Sequence, residues 1–296
     1  MDVIRTPEAS FDNLLDYNFD PHYFTLETDS GTALRMHYLD ENTLSDEVVL
    51  LLHGEPTWSY LYRKFIPPLI SKGKRVIAPD LIGFGKSDKL TDQKKYSYKN
   101  HLNWTLSLIK HLEIKNIILF GQDWGGLIGL RILAENQDLF AGMVLSNTSL
   151  PVGQGGSAGF DQWLEFSQNI PDFNAGKIVN QGSLSQLSDE TVAAYNAPFP
   201  DDTYKAGARA FPTLVPITPE HDQVEENKSA WKLLQEFNKP TITAFGEHDP
   251  IFLGAEKKLI EMIPGAKGAE HTIIDAGHFS QENQPELLVD AILSIE

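Results

Sequence analysis

Residues 116–133, NIILFGQDWGGLIGLRIL, constrain the fold more than any other stretch of this chain. A short apolar run with branched side chains has the character of a strand buried on both faces, and it passes without a linker into apolar positions at helical spacing. The joint is Gly121-Gln122-Asp123-Trp124-Gly125. A strand that turns this sharply into a helix needs small flanking residues for close backbone approach, and it pushes its central side chain out beyond the strand end. A strand feeding a helix directly belongs in a parallel sheet covered by helices.

The rest of the chain keeps that rhythm. Short apolar runs rich in branched residues recur at 48–54, 75–80, 116–123, 142–147, 241–247 and 271–277. Helical spacing occupies 60–72, 98–113, 124–136, 254–263 and 285–295. The expected fold class is α/β, a mostly parallel, doubly wound sheet. Two earlier runs, 24–29 and 34–40, alternate polar and apolar residues around Ser30-Gly31-Thr32, as an antiparallel edge hairpin would. From 148 to 226 the rhythm stops, and Gly, Pro and aromatic residues gather in PVGQGGSAGF and NAPFPDD. This segment reads as an inserted helical cap, with 1–147 and 227–296 forming the core domain. An insertion after a strand's carboxyl end lies over the sheet edge where open α/β sheets bind ligands. The Gly-rich 153–159 reads as a flexible loop.

Composition narrows the partners. With 24 basic and 41 acidic residues the formal charge is −17, which repels nucleic acid and anionic membrane surfaces. A chain with 41% hydrophobic residues has enough apolar material for a large core. It has no cysteine, hence no disulfide or thiolate metal site. The opening residues lack a basic segment followed by an apolar one, and no run approaches the roughly 18 apolar residues of a membrane span. A cytoplasmic location is expected.

The projecting residue of the turn is an aspartate. A carboxylate can attack an sp³ carbon that bears a leaving group and form an ester that water then cleaves, whereas a hydroxyl nucleophile suits acyl transfer. The bland alternative is that Asp123 only caps the helix that follows. Two further residues weigh against it. Asp249 follows the run TITAFGE and His278 follows HTIIDAG, each at the end of a buried strand. The order nucleophile, acid, histidine is that of α/β-hydrolases. The run VVLLLHG leads into His53-Gly54-Glu55-Pro56-Thr57-Trp58, where such hydrolases place the loop that donates one oxyanion N–H. Pro56 has no N–H to give, so Glu55 and Trp124 are the expected backbone donors.

HGEPTWSYLYR (53–63), DLIGFGKSD (80–88), GQDWGG (121–126) and GHFSQE (277–282) together resemble haloalkane dehalogenases. FDQW (160–163) and APFPDDTYKAGARAFP (197–212) look like the subfamily that carries its second halide-binding tryptophan in the cap. The resemblance implies an α/β-hydrolase fold and hydrolysis of carbon–halogen bonds through an alkyl ester of Asp123. Asp249 would orient His278, the base, and Trp124 and Trp163 would bind halide through their indole N–H groups. Phe160, Phe211 and Pro212 match apolar pocket positions, with Leu127, Val215 and Ile251 joining them. Trp58, Trp104 and Trp231 are read as packing residues, and His53 and Glu247 as turn or supporting groups. The Glu55 side chain is available to hold the hydrolytic water.

No cofactor or metal is implied, and no HExxH-like spacing occurs. The expected partners are a small apolar halogenated alkane and a halide ion, with a monomer as the expected assembly. Two other readings stay open. An epoxide hydrolase would use the same acid, base and nucleophile, but needs proton donors in the cap, where Tyr195 and Tyr204 are the tyrosines present. A ligand-binding relative would have lost turnover. A fluoroacetate-type enzyme typically has Arg after the nucleophile, where this chain has Trp124.

Overall fold

The six apolar runs become neighbours in one sheet. A computed structural model describes residues 2–28 and 31–295. Its strands in chain order are β1 (Val3–Ile4), β2 (His22–Glu27), β3 (Ala33–Glu41), β4 (Val48–Leu52), β5 (Arg75–Pro79), β6 (Lys89–Leu90), β7 (Ile117–Gln122), β8 (Phe140–Ser146), β9 (Thr241–Gly246) and β10 (Thr272–Ile274). Eight of them form a sheet in the order β10-β9-β8-β7-β4-β5-β3-β2, and β1 pairs separately with β6. The strands β4, β5, β7, β8, β9 and β10 pair in parallel. The hairpin β2–β3 runs antiparallel and attaches to β5, so its alternating pattern sits at the sheet edge. Asp29 and Ser30 of the expected turn lie outside the described residues.

Every residue of β4 and β7 is buried, so the sheet's centre is covered on both faces. The helices Ile66–Ser71 and Pro285–Leu293 pack on the sheet and on each other. The helix Trp124–Glu135 packs on β4, β7 and β8 and against the helices Tyr98–His111 and Val224–Leu234. The mostly parallel sheet covered by helices on both faces is what the sequence rhythm leads one to expect, and its topology fits the α/β-hydrolase fold that the resemblance implies. One expected helix differs. Residues 60–72 divide into a 3₁₀ turn, Ser59–Tyr62, and the helix Ile66–Ser71, because Pro67 and Pro68 lack an N–H and fit only in a first helical turn.

Between β8 and the helix Val224–Leu234 lie the helices Ala158–Asn169, Ala175–Gly182, Asp189–Asn196 and Ala206–Ala210. Three of them start on a capping side chain: Ser157, Asn174 and Ser188 accept from the N–H of Phe160, Lys177 and Thr191. The helix Val224–Leu234 crosses the expected junction at 226/227. The Gly-rich stretch, expected as a flexible loop, is largely exposed and is joined to the chain at 216–217. Gly153 and Gly155, both at positive φ, donate their N–H groups to Pro216 and Ile217. Among the described residues no helix is long and apolar enough to cross a membrane.

Candidate active site

Asp123 occupies the turn between β7 and its helix with φ 53° and ψ −128°, a conformation that non-glycine residues adopt only where surrounding structure enforces it. The enforcement is steric and polar. A Cβ on Gly125 would fall 1.8 Å from the Leu52 carbonyl oxygen, and one on Gly121 would fall 2.8 Å from Gly126 Cα. Asp123 N–H donates to the Asn147 carbonyl at 2.9 Å, and Thr148 Oγ1 donates to the Asp123 carbonyl at 2.8 Å. The Asp123 side chain makes no helix-capping bond. Its Oδ1 instead accepts from Glu55 N–H at 2.8 Å, and the Trp124 N–H also stabilises the carboxylate.

The Glu55 loop is held from below. His53 bridges the Gly54 carbonyl (Nδ1, 2.8 Å) and the Leu81 N–H (Nε2, 2.9 Å), an arrangement that requires the neutral ring. Burial lowers its pKa, which favours that form. Asp80 accepts from Ser59 N–H, Lys86 N–H and His37 Nδ1. Burial opposes its ionisation, but His37 and these donors win and leave its pKa at about 2.

Asp249 and His278 arrive from the ends of β9 and β10. His278 Nδ1 lies 3.0 Å from Asp249 Oδ2, and its Nε2 faces Asp123 Oδ2 across 3.8 Å, beyond hydrogen-bond length. Asp249 is also held by Ile251 N–H and Asn147 Nδ2. Burial opposes ionisation at both groups. For Asp249 the nearby imidazole and donors outweigh it and lower the pKa. For His278 the charge and hydrogen bond of Asp249, aided by Asp123, outweigh it and raise the pKa. Asp123 itself is raised by burial, which its donors and His278 only partly offset. Glu55 is raised well above the usual carboxylate range by burial and by Asp123.

A cavity of about 270 Å³ opens above Asp123, walled by Glu55, Trp124, Phe160, Trp163 and Pro212, with Leu127, Val215 and Ile251 among its other linings. A second cavity, about 640 Å³, shares Glu55, Asp123, Trp163 and Ile251 with the first and reaches His278 and Leu184. Trp58 and Trp231 donate their indole N–H to the Ala194 and Leu150 carbonyls. Among the described residues Trp124 and Trp163 make no such bond, and both line the first cavity. Phe211 does not line it, although its sequence context suggests a pocket residue. Its ring lies one layer back, packed on Trp124 at 4.5 Å and His101 at 4.4 Å. Neither cap tyrosine lines either cavity, and Tyr195 OH donates to Glu282 at 2.5 Å.

Two close neighbours carry no signal in the sequence reading. Asn147, at φ 43°, joins Asp249 to Gly277 and Gly246. Gln122 Nε2 lies 3.1 Å from both Nε2 and the carbonyl oxygen of His278. Among the described residues one group, Glu247, His248 and Asp275, brings three ligand atoms within 4.8 Å of one another at the exposed surface, and these side chains pair with each other.

The α/β-hydrolase-fold family model matches residues 47–285. A haloalkane dehalogenase of Psychrobacter cryohalolentis is 51% identical, over 97% of this chain and 95% of its own length. One from Mycolicibacterium paratuberculosis is 47% identical, over 99% and 98%. This chain belongs to the haloalkane dehalogenases. The dehalogenase is similar throughout to the tetrameric haloalkane dehalogenase DpaA of Paraglaciecola agarilytica NO2, with a TM-score of 0.93 at 36% identity over 99% of both chains. The fold, the hydrolase class and the family therefore agree with the expectations raised by the GQDWGG and HGEPTWS motifs.

Proposed function

We propose that this dehalogenase cleaves small apolar haloalkanes in two steps at Asp123. The observation that carries the reading is the pairing of one carboxylate with two opposed environments. Oδ1 is tied to the Glu55 N–H and Oδ2 faces His278, while the residue as a whole borders a cavity whose lining includes Trp124 and Trp163, with indole N–H groups unbonded among the described residues.

Oδ2 attacks the carbon from the side opposite the halogen. A cavity with few competing donors strengthens the carboxylate as a nucleophile. An indole N–H donates and offers no competing acceptor, so Trp124 and Trp163 suit the charge that grows on the departing halide. This gives the chain the cap-tryptophan arrangement. Halide leaves and an alkyl ester of Asp123 remains. His278, held by Asp249 through Nδ1, then takes a proton from water at Nε2, and that water attacks the ester carbonyl carbon. The negative charge passes to Oδ1, where the Glu55 N–H already points, with the Trp124 N–H as the second donor to this carboxylate. Burial and the nearby Asp123 push the Glu55 pKa up, and its unpartnered carboxyl oxygen is a further partner for the water. Alcohol, halide and a proton are the products.

The epoxide hydrolase reading lacks its proton donors, since the Tyr195 hydroxyl is engaged with Glu282 and neither Tyr195 nor Tyr204 lines either cavity at Asp123. The test is halide release from 1,2-dibromoethane and 1-bromobutane, with styrene oxide hydrolysis followed in parallel. Halide release without epoxide opening is expected. Asp123→Asn should abolish turnover, and His278→Phe should release about one halide per enzyme and retain the alkyl ester by mass. A His278→Phe enzyme that turns over normally refutes the mechanism.

A further inference from the structure

The histidine loop, Gly277–Asn283, is gripped along its length by one half of the cap. Phe279 N–H donates to the Gly182 carbonyl at 3.3 Å. A Cβ on Gly277 would fall 2.3 Å from that carbonyl oxygen, and one on Gly182 would fall 2.7 Å from the Phe279 ring. Leu184 N–H donates to Asn283 Oδ1 at 3.0 Å, the same oxygen that accepts from Gly277 N–H at 3.1 Å. Asn283 Nδ2 reaches Ser185 Oγ at 3.2 Å. At the far end Tyr195 OH, fully buried, donates to Glu282 Oε1 at 2.5 Å. Glu282 is itself clamped by both Nη atoms of Arg63 and by Lys64 Nζ.

The other half of the cap does something different. The helix Ala158–Asn169 supplies Phe160 and Trp163 to the first cavity. Its anchors, Ser157 Oγ on the Ile251 carbonyl and the tight approach of Gly159 to the Pro250 carbonyl, lie on the loop after Asp249.

We propose that the cap segment Ala175–Asn196 is a positioning element for His278, acting on ester hydrolysis and not on halide displacement. The proposal rests on His278 being the base. Asp249 and Gln122 meet the two ring nitrogens at 3.0 and 3.1 Å, but where the ring sits relative to Asp123 also follows the loop backbone, which Gly182, Asn283 and Tyr195–Glu282 hold from the cap side. Displacement of halide needs no base, so a loop shifted by a fraction of an ångström leaves it alone. Attack of water needs Nε2 in line and is slowed.

Tyr195→Phe and Asn283→Ala in the full-length enzyme test this, with bromide and alcohol from 1,2-dibromoethane timed separately by rapid quench. The expected result is a bromide burst within about twofold of the parent, alcohol formation slower by about tenfold, and accumulated alkyl ester by mass. Tyr195→Phe keeps its ring packed on Tyr60 and carries the test alone if Asn283→Ala fails to fold. Unchanged alcohol formation, or equal slowing of both steps, overturns the positioning role while a His278→Phe control still traps the ester. A His278→Phe control that turns over removes the base and the proposal together.

Discussion

Gly54 presses directly on Asp123, the proposed nucleophile, and adding one methyl group there gives a sharp test of how closely that side chain must be held. A Cβ at residue 54 would lie 2.1 Å from Asp123 Oδ1, 2.5 Å from its Cβ and 2.6 Å from its Cγ. Real Cβ contacts essentially never fall below 3.0 Å, so the gap has to widen by about 0.9 Å. Gly54 has no positive φ, so alanine is acceptable to the backbone and the effect is purely one of contact. Either the carboxylate moves away from its line of attack or the loop recedes and draws Glu55 N–H off Oδ1, which it now meets at 2.8 Å. A misplacement of this size at reacting atoms lowers the rate by about a hundredfold. Gly54→Ala should therefore slow the bromide burst by about that factor, with overpacking lowering stability by about 1–3 kcal/mol. Rapid-quench timing of bromide, with thermal melting on the same preparation, checks both. A burst within about threefold of the parent in a folded variant would mean that Asp123 tolerates displacement, and the steric account of the turn would be wrong.

The two steps should also separate with pH. In the proposed cycle His278 must be neutral to act, and Asp249 and Asp123 raise its pKa in the resting enzyme against the effect of burial, so alcohol formation fails as pH falls through that raised pKa. Esterification removes the Asp123 charge that helps raise it, which moves the limb of the second step back down. Displacement needs only ionised Asp123 and persists to lower pH, until the raised pKa of Asp123 is crossed. Identical acid limbs for bromide burst and alcohol formation would exclude this order. Trp163→Phe should weaken bromide binding about ten- to a hundredfold, since a hydrogen bond to a charged partner is worth about 1.5–3 kcal/mol. Quenching of the remaining tryptophan fluorescence by bromide reads the change, and an unaltered curve would take Trp163 out of the halide site.

Much of the candidate site was legible because each of its three titratable side chains follows the end of an apolar run, although β10 itself lies at the sheet edge with only Ile274 buried. Asp123 follows β7, Asp249 follows β9 and His278 follows the run containing β10, so three apolar runs and three terminal residues suffice to bring them to one sheet edge. Asn147 ends β8 in the same way, yet its value comes from Asp249, 102 residues away, and nothing local announces it. Gln122 occupies a position that the turn motif leaves free. Phe211 illustrates a different limit: an apolar residue one layer behind the cavity has the same sequence character as one that lines it. The helix Val224–Leu234 was hidden by its own interior. Asn227 sits in the buried stripe with Val224, Ala230, Trp231 and Leu234, and it is polar because it accepts from Arg131 and donates to the Pro151 carbonyl.

The tether from Glu55 N–H to Oδ1 makes the two oxygens of Asp123 chemically unequal. In the proposed cycle Oδ2 bonds to the substrate carbon and departs inside the alcohol, and the attacking water replaces it. Oδ1 stays with the protein through every cycle unless the carboxylate turns over in its seat. Each alcohol therefore carries oxygen taken from the solvent one turnover earlier, and the first carries the enzyme's own. In heavy-oxygen water the first round yields unlabelled alcohol and leaves the aspartate heavier by a single atom, a memory written at one position.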